Sequence, residues 1–440
     1  MGSSIDATVP LPFNLPALPN TINHTPWPAQ NFLHVDPAGD VFHVLVCRTT
    51  YSLRGMPYGA DGIGQPVLLP GPQQPPLVTE DVYEGALNSS SVVQESDFAP
   101  YKPLCDVLLV NATAYAPGGR PTPRWSVGLR FGKHFSKLLN VTGPRHYERS
   151  LGSLGTLALS QPQLATQVPL SYQLAYGGPN VVKAHRRADQ AAASDRAPEP
   201  PAFYIPNPIG TGRLGGRDTR SWVEQEAQTL RHALLRDGGD SLAAHERLLA
   251  NFTDQAAYRG PQIESTKQSF AGDERDYAVL GYGPIARWWQ PRHALAGTHD
   301  ERWRATQWPK SPLDHDYRYW CCAPQDQQVP YPQGGEEIVL VNLTPPSPST
   351  DQDGSVRFAL PEQPLCALVR MQAGPLLLMP LAIDTIVIDL GAATLAVVRR
   401  VLVPSSLEVR QLELGTWRPG QTDSAALAMA GAEPHRPASP

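Results

Sequence analysis

The stretch "ESDFAPYKPLCDVLLVNATAYAPGGRP", residues 95–121, decides how this chain is read. A polar loop with Glu95, Asp97, Tyr101 and Lys102 runs into the apolar segment "CDVLLVNATAYA", residues 105–116, which the turn residues "PGGRP" stop. Alternation and β-branched content make the apolar segment a strand. Asp97, Lys102 and Asp106 sit close together around Pro100 and Pro103. The prolines pre-set extended geometry, and Lys102 is placed to neutralise either carboxylate. A paired, partly buried charge cluster specifies a loop conformation even where its net stabilisation is small. The residues leave open whether that conformation serves binding or folding.

Strand signals continue on either side. "VFHVLVCRTTYSL" (41–53) alternates as a half-buried strand should, and "RWSVGLRFGKHFSKLLNVTG" (124–143) predicts a hairpin turning at Gly132-Lys133. Further on, "GGEEIVLVNLTP" (334–345), "SVRFALP" (355–361) and "LCALVRM" (365–371) predict a meander. "DTIVIDLGAATLAVVRRVLVP" (384–404) predicts a hairpin turning at Gly391-Ala392. The middle differs. Residues 178–202 are rich in Ala, Pro and charge, and Ser221 with Glu224 forms a capping-box pattern. Val223, Ala227, Leu230 and Leu234 lie on one helical face, Gly238-Gly239 ends it, and a second helix is expected over 241–252. The expected fold is mainly β: antiparallel, sandwich-like sheets in two β-rich halves with a helical insertion. The expected divisions are 1–177, the insertion 178–276, 277–418 and a disordered tail 419–440.

The chain has 440 residues, of which 47 are proline, favouring short strands and turns over long helices. A net charge of −5 argues against nucleic acid or an anionic membrane as the main ligand. The N-terminal stretch lacks the cationic and apolar regions of a secretory signal, and nowhere do about 18 apolar residues run together, so no span is expected. The five cysteines, Cys47, Cys105, Cys321, Cys322 and Cys366, are odd in number and lack CxxC spacing. That pattern fits reduced thiols and a cytoplasmic location rather than a disulfide or zinc framework.

The common phosphate-loop, dinucleotide, nucleophile-elbow and zincin motifs are absent from the sequence. The best catalytic candidate is "GTHDERW…SPLDHDYRYW", in which His299, Asp300, Asp314, His315 and Asp316 could gather as metal ligands or a carboxylate pair. On a strand, Asp314 and Asp316 would share a face suited to a divalent cation. The ordinary alternative is that they cap turns and pair with Arg292, Arg302 or Arg318. Trp288, Trp289, Trp303, Trp308 and Trp320 could line a sugar platform, although such density more often fills a core. Vicinal Cys321-Cys322 read as core thiols.

An ordered set of motifs resembles domain-of-unknown-function family twenty-one sixty-nine. The matching pieces are "NHTP" (23–26), "VCRTTYSL" (46–53), "ESDFAPYKPLCDVLL" with "NATAYAPGGRP", "VTGPRHY" (141–147) and "VPLSYQLAYGG" (168–178). "NPIGTG" (207–212), "GYGPIARWWQPRHALAGTHDERW" (281–303), "WPKSPLDHDYRYWCCAPQDQQ" (308–328), "GGEEIVLVNLTP" and "AIDTIVIDL" follow. His299 and His315 stand where the family commonly has aromatic residues, and Cys47-Arg48 replace a usual Lys-Ala. The resemblance implies an accessory protein of the type VI secretion system. Its relatives look like adaptors or chaperones that help load an effector onto the spike, through the valine-glycine-repeat trimer and the PAAR-repeat tip. It implies no catalytic residue, metal or cofactor. The motif positions carried over, expected to bind protein or brace loops, are Asp97, Tyr101, Lys102, Asp106, Arg120, Arg292, Asp300, Trp303, Asp314, Asp316 and Asp326. The alternative is an enzyme: a metal-assisted hydrolase around Asp300, Asp314 and Asp316, or a glycan-acting sandwich using the tryptophans.

Overall fold

A computed structural model describes residues 15–87, 90–149, 157–178, 203–213, 259–272, 277–346 and 354–417. The helices expected over 221–252, much of the insertion 178–276 and the tail 419–440 lie outside the described residues. What is described is mainly β, arranged as three principal sheets with small two-stranded additions.

The largest sheet runs in the order Gln328–Val329, Cys105–Val110, Ala382–Asp389, Thr394–Pro404, Val41–Ser52 and Ala29–Val35, with Val67–Leu68 also paired to Val41–Ser52. Strands from both sides of the insertion therefore share one ladder. Its pairs are antiparallel except where Cys105–Val110 runs parallel to Ala382–Asp389, with Thr385 opposite Asp106. A second sheet orders Ile263–Ser265, Phe135–Thr142, Arg124–Phe131, Glu337–Val341 and Ser355–Ala359. A third, smaller one orders Asn20–Asn23, Val409–Gly415, Cys366–Met371 and Leu377–Pro380.

Side-chain alternation explains how these layers stack. Along Thr394–Pro404, Leu395 and Val397 enter one core with Trp125, Leu129, Phe131, Ile338 and Leu340 of the second sheet. Val401 and Val403, on the same face, enter another core with Ala367, Val369, Leu412 and Leu414 of the small sheet. One face of the large sheet thus carries both smaller sheets side by side. The other face carries Arg48, Asp106, Leu108, Val387, Ala396 and Arg400, and is covered by the loops 69–104 and 284–323. Coverage on both sides explains why His43–Tyr51 is buried throughout, where alternation alone predicts half-burial.

Two local expectations are corrected. Residues 105–116 do not form one strand. Asn111 has φ of 49°, so the chain turns and Thr113–Tyr115 pairs instead with Gln167–Pro169. The meander ends after two strands. Glu337–Val341 pairs with Ser355–Ala359, but Cys366–Met371 joins the small sheet, because Pro361 and Pro364 lie in the connection and carry no ladder donor. The two hairpins form as the turn residues predict. Phe131 lies opposite Phe135 across Gly132, whose φ of 48° suits glycine, and Asp389 lies opposite Thr394 across Gly391-Ala392.

One close approach is directly testable. A Cβ on Gly143 would lie 1.9 Å from the carbonyl oxygen of Gln163. Gly143→Ala must push two backbone segments apart and should cost about 1–3 kcal/mol, as overpacking does. Urea unfolding monitored by tryptophan fluorescence would show it as a lower midpoint with unchanged slope.

Candidate functional site

The charged residues of the opening loop converge on the loop-covered face of the large sheet. Strand alternation places Asp106 on that face, while its neighbours Cys105 and Val107 point into the core shared with the second sheet. The Asp106 carboxylate accepts from Lys102 Nζ at 2.7 Å, from the backbone N–H of Cys322 at 2.9 Å and from that of Ala323 at 3.0 Å. Lys102 Nζ also donates to Thr385 Oγ1 at 2.8 Å on the adjacent strand. Asp97 takes Arg48 through both oxygens at 3.1 Å and accepts the Val78 N–H at 2.8 Å. Lys102 therefore does not choose between two carboxylates: Asp106 holds it, and Asp97 belongs to Arg48, a residue absent from the loop's own sequence.

Two further pairs complete the cluster. Asp384 is the extra residue at a β-bulge, where the register slips between Ile383 and Thr385. Bulges re-aim side chains, and here the carboxylate reaches Arg400 Nη1 at 3.0 Å, while Arg400 Nη2 donates to the Asp97 carbonyl at 2.7 Å. Arg292 forks onto both Glu95 oxygens and also donates through Nε to the Tyr319 carbonyl at 2.8 Å. Asp97, Lys102, Asp106 and Arg292 are each 6% exposed or less. Between Glu95, Asp97, Lys102, Thr385 and Arg400 lies a cavity of about 10 Å³, room for about one water.

Burial and neighbouring charge act against each other here. Burial pulls the Lys102 ammonium down, the Asp106, Asp384 and Glu95 carboxylates pull it up, and the net shift is upward. Arg292 is likewise raised, because Glu95 outweighs its desolvation. Asp384 is raised by burial, opposed by Arg400 and then Lys102. Burial and then Asp106 push the Cys322 thiol well up, and burial pushes Cys321 up to about 12. All five cysteines are buried and free, so those two behave as the core thiols their sequence context predicts.

The remaining predicted positions fall elsewhere. Tyr101 packs edge-on against Tyr317, 5.3 Å between centroids. Arg120 is exposed just after the turn Pro117–Gly119. Asp326, its side chain 59% exposed, reaches Lys137 Nζ at 2.8 Å. That lysine also donates to fully buried Gln327, whose amide donates to the carbonyls of Val107 and Tyr282 and so ties two sheets together. Asp300 caps the helix Glu301–Thr306, accepting the Trp303 N–H at 2.7 Å, and Trp303 Nε1 donates to the Lys310 carbonyl. Asp314 and Asp316 are not on a strand. Asp314 accepts from Thr298 N and Oγ1, and Asp316 caps the turn Tyr317–Trp320 and pairs with Arg318. These hydrogen bonds hold both carboxyls below their usual range. Among the described residues, no three His, Cys, Asp or Glu side chains are placed to share a metal ion. The tryptophans serve different ends: Trp289 is fully buried against Tyr172, Trp320 lies under the Arg287 guanidinium, and Trp308 is 45% exposed.

Sequence reasoning missed Arg48, Asp384 and Arg400 as parts of this cluster. The signal was present: "LAVVRRVLV" and "AIDTIVIDL" carry charges inside strands too apolar to expose them, and buried charges require partners.

The molecule is thus a mainly β protein whose loops are fastened to its largest sheet by buried ion pairs. It belongs to the family described as "Uncharacterized protein conserved in bacteria (DUF2169)", whose model matches residues 43–227 and 246–400. Neither the curated proteins nor the solved structures yield a match. No helix among the described residues is long and apolar enough to cross a membrane.

The cluster should be far more sensitive to substitution than an exposed ion pair. Asp106→Ala strands Lys102 and two buried N–H groups and should cost about 3–5 kcal/mol. Glu301→Ala, at the exposed Glu301–Arg304 pair outside the cluster, should cost within about 1 kcal/mol. Chemical denaturation of the two variants side by side checks the contrast.

A second expectation concerns acid. His34, hydrogen-bonded to Tyr317 Oη at 2.7 Å, is lowered from 6.5 to about 4, by burial first and His315 in addition, against the pull of Asp36. The unfolded chain protonates His34 below pH 6.5 while the folded chain waits until about 4, so this residue's share of stability falls with acid across that window. His34→Gln keeps a polar partner for Tyr317 and should flatten the decline in unfolding free energy between those pH values.

Proposed function

We propose that this protein is a cytoplasmic, non-enzymatic adaptor or chaperone of a type VI secretion system. It holds a cognate effector and helps load it onto the spike, the valine-glycine-repeat trimer with its PAAR-repeat tip. The resemblance of the ordered motifs supplies the system. The observation that carries the binding role over turnover is the burial of the motif charges: Asp97, Lys102, Asp106 and Arg292 are spent on partners within the chain. Groups so paired fix the covering loops in place, and the water-sized gap among them is too small for a substrate.

Loops held on a rigid sheet are a common means of presenting a binding surface. The covering loop 69–104 includes the exposed, proline-containing run "PGPQQPP", residues 70–76, which is stiff before any partner arrives. Ordering such a loop on binding costs little, because its freedom is already lost. The carboxylates of Asp300, Asp314 and Asp316 are engaged in caps and turns and lend no support to the hydrolase reading.

Co-expression with an effector and spike proteins of a type VI secretion system from the same genome should give a complex in fixed stoichiometry that survives size-exclusion chromatography. The reading fails if no complex forms while the purified protein turns over a substrate and Asp314→Ala abolishes that turnover without unfolding the chain.

A further inference from the structure

The edges of the three principal sheets are not equally protected. At Ser355–Ala359 the edge is closed by Gly64, which donates to the Arg357 carbonyl at 2.9 Å and accepts from the Ala359 N–H at 3.0 Å. Along Ala29–Val35, the Asn31 amide bonds Pro19 and Thr21, and the Val35 carbonyl faces the Ser311 hydroxyl. Among the described residues, the edge strand Leu377–Pro380 of the small sheet has no such cover.

Its geometry follows from one rung. Leu381 N–H donates to the Leu365 carbonyl at 2.9 Å, and the register places Leu377 opposite Val369, Leu378 opposite Leu368 and Met379 opposite Ala367. Hydrogen-bonded rungs recur at every second residue of an antiparallel pair. Leu377 and Met379 therefore turn their backbone groups inward, and Leu376, Leu378 and Pro380 turn theirs to the open side. Among the described residues, nothing bonds the outward N–H and C=O of Leu376 and Leu378. Leu377 and Met379 pack on the small-sheet core, while Leu376, 41% exposed, and Leu378 stand on the opposite face.

Unpaired backbone donors and acceptors in a row are satisfied best by another strand. We propose that this edge pairs with the same edge of a second copy of the chain, antiparallel about a twofold axis at Leu378. Each Leu378 then donates to and accepts from its own copy, and each Leu376 donates to the Pro380 carbonyl opposite. Pro380 has no N–H, so at that rung it serves as an acceptor alone and the Leu376 carbonyl opposite gains no strand donor. The two small sheets become one.

Charge selects this occupant. A twofold axis sets every side chain near its own copy, so a charged edge would meet like charge and be repelled. The stretch "MQAGPLLLMPLAI", residues 371–383, carries no charged residue, although charges are a usual guard on an open edge. This pairing is independent of the adaptor role.

Sedimentation equilibrium on the full chain should give the mass of two chains at high concentration, falling twofold on dilution. Leu378→Lys, which sets two ammonium groups at the axis, should give the mass of one chain throughout with unchanged far-UV circular dichroism. Amide exchange at Leu376 and Leu378 in the unaltered protein should slow at least tenfold from dilute to concentrated solution, a readout that stands even if the variant misfolds. A single-chain mass up to the solubility limit overturns the proposal. So does a Leu378→Lys dimer, exchange at these amides that ignores concentration, or an edge occupied only by a strand of a different protein.

Discussion

Eight charged side chains meet where the loops lie on the large sheet, and almost none of them touches water. Arg48, Asp106, Asp384 and Arg400 rise from the sheet; Glu95, Asp97, Lys102 and Arg292 come from the loops. Leaving any one of them unpaired would cost several kcal/mol, so the loops can sit only where every charge finds its complement. An apolar contact would tolerate sliding by a fraction of a side chain. A forked guanidinium on a carboxylate does not, since both donors must be aimed at once. The position of the loops relative to the sheet is set by these pairs more than by the apolar contacts around Leu108, Val387 and Cys322.

The cluster also shows why a bulge belongs in Ala382–Asp389. Regular alternation would give Asp384 and Thr385 opposite faces, and only one could meet the loops. The slipped register lets Asp384 reach Arg400 while Thr385 accepts from Lys102, and Thr385 Oγ1 also bonds the Asp384 carboxylate at 3.0 Å. One irregular residue thus joins two ion pairs that would otherwise be separate.

How much of this was legible in the residues depends on whether the cause was local. Hairpins at Gly132 and Gly391 were read correctly because turn chemistry is written in a few consecutive positions. The strand Val41–Ser52 was found, but its two-sided burial was not, since that depends on loops and sheets drawn from distant parts of the chain. The single strand expected over 105–116 failed at Asn111, where one residue in a left-handed conformation outweighs the strand signal on either side of it. Within the site, Lys102 and Asp106 lie four residues apart and were associated from the sequence. Arg48 with Asp97, and Glu95 with Arg292, are joined only by the fold, so proximity along the chain could not show them. For Asp314 and Asp316 the shared strand face did not form, and the ordinary alternative of caps and turns prevails, with Asp300 and Asp316 as caps and Asp316 paired with Arg318.

The parallel rung of Thr385 on Asp106 carries a consequence for how the molecule comes into being. Cys105–Val110 emerges from the ribosome long before Ala382–Asp389, and until the later segment arrives one flank of the earlier one has no companion. Such distant pairings close slowly, because a long loop must be gathered first. A nascent chain therefore carries a sticky, half-finished ladder through most of its synthesis, and a premature stop anywhere before the last quarter leaves nothing for it to become.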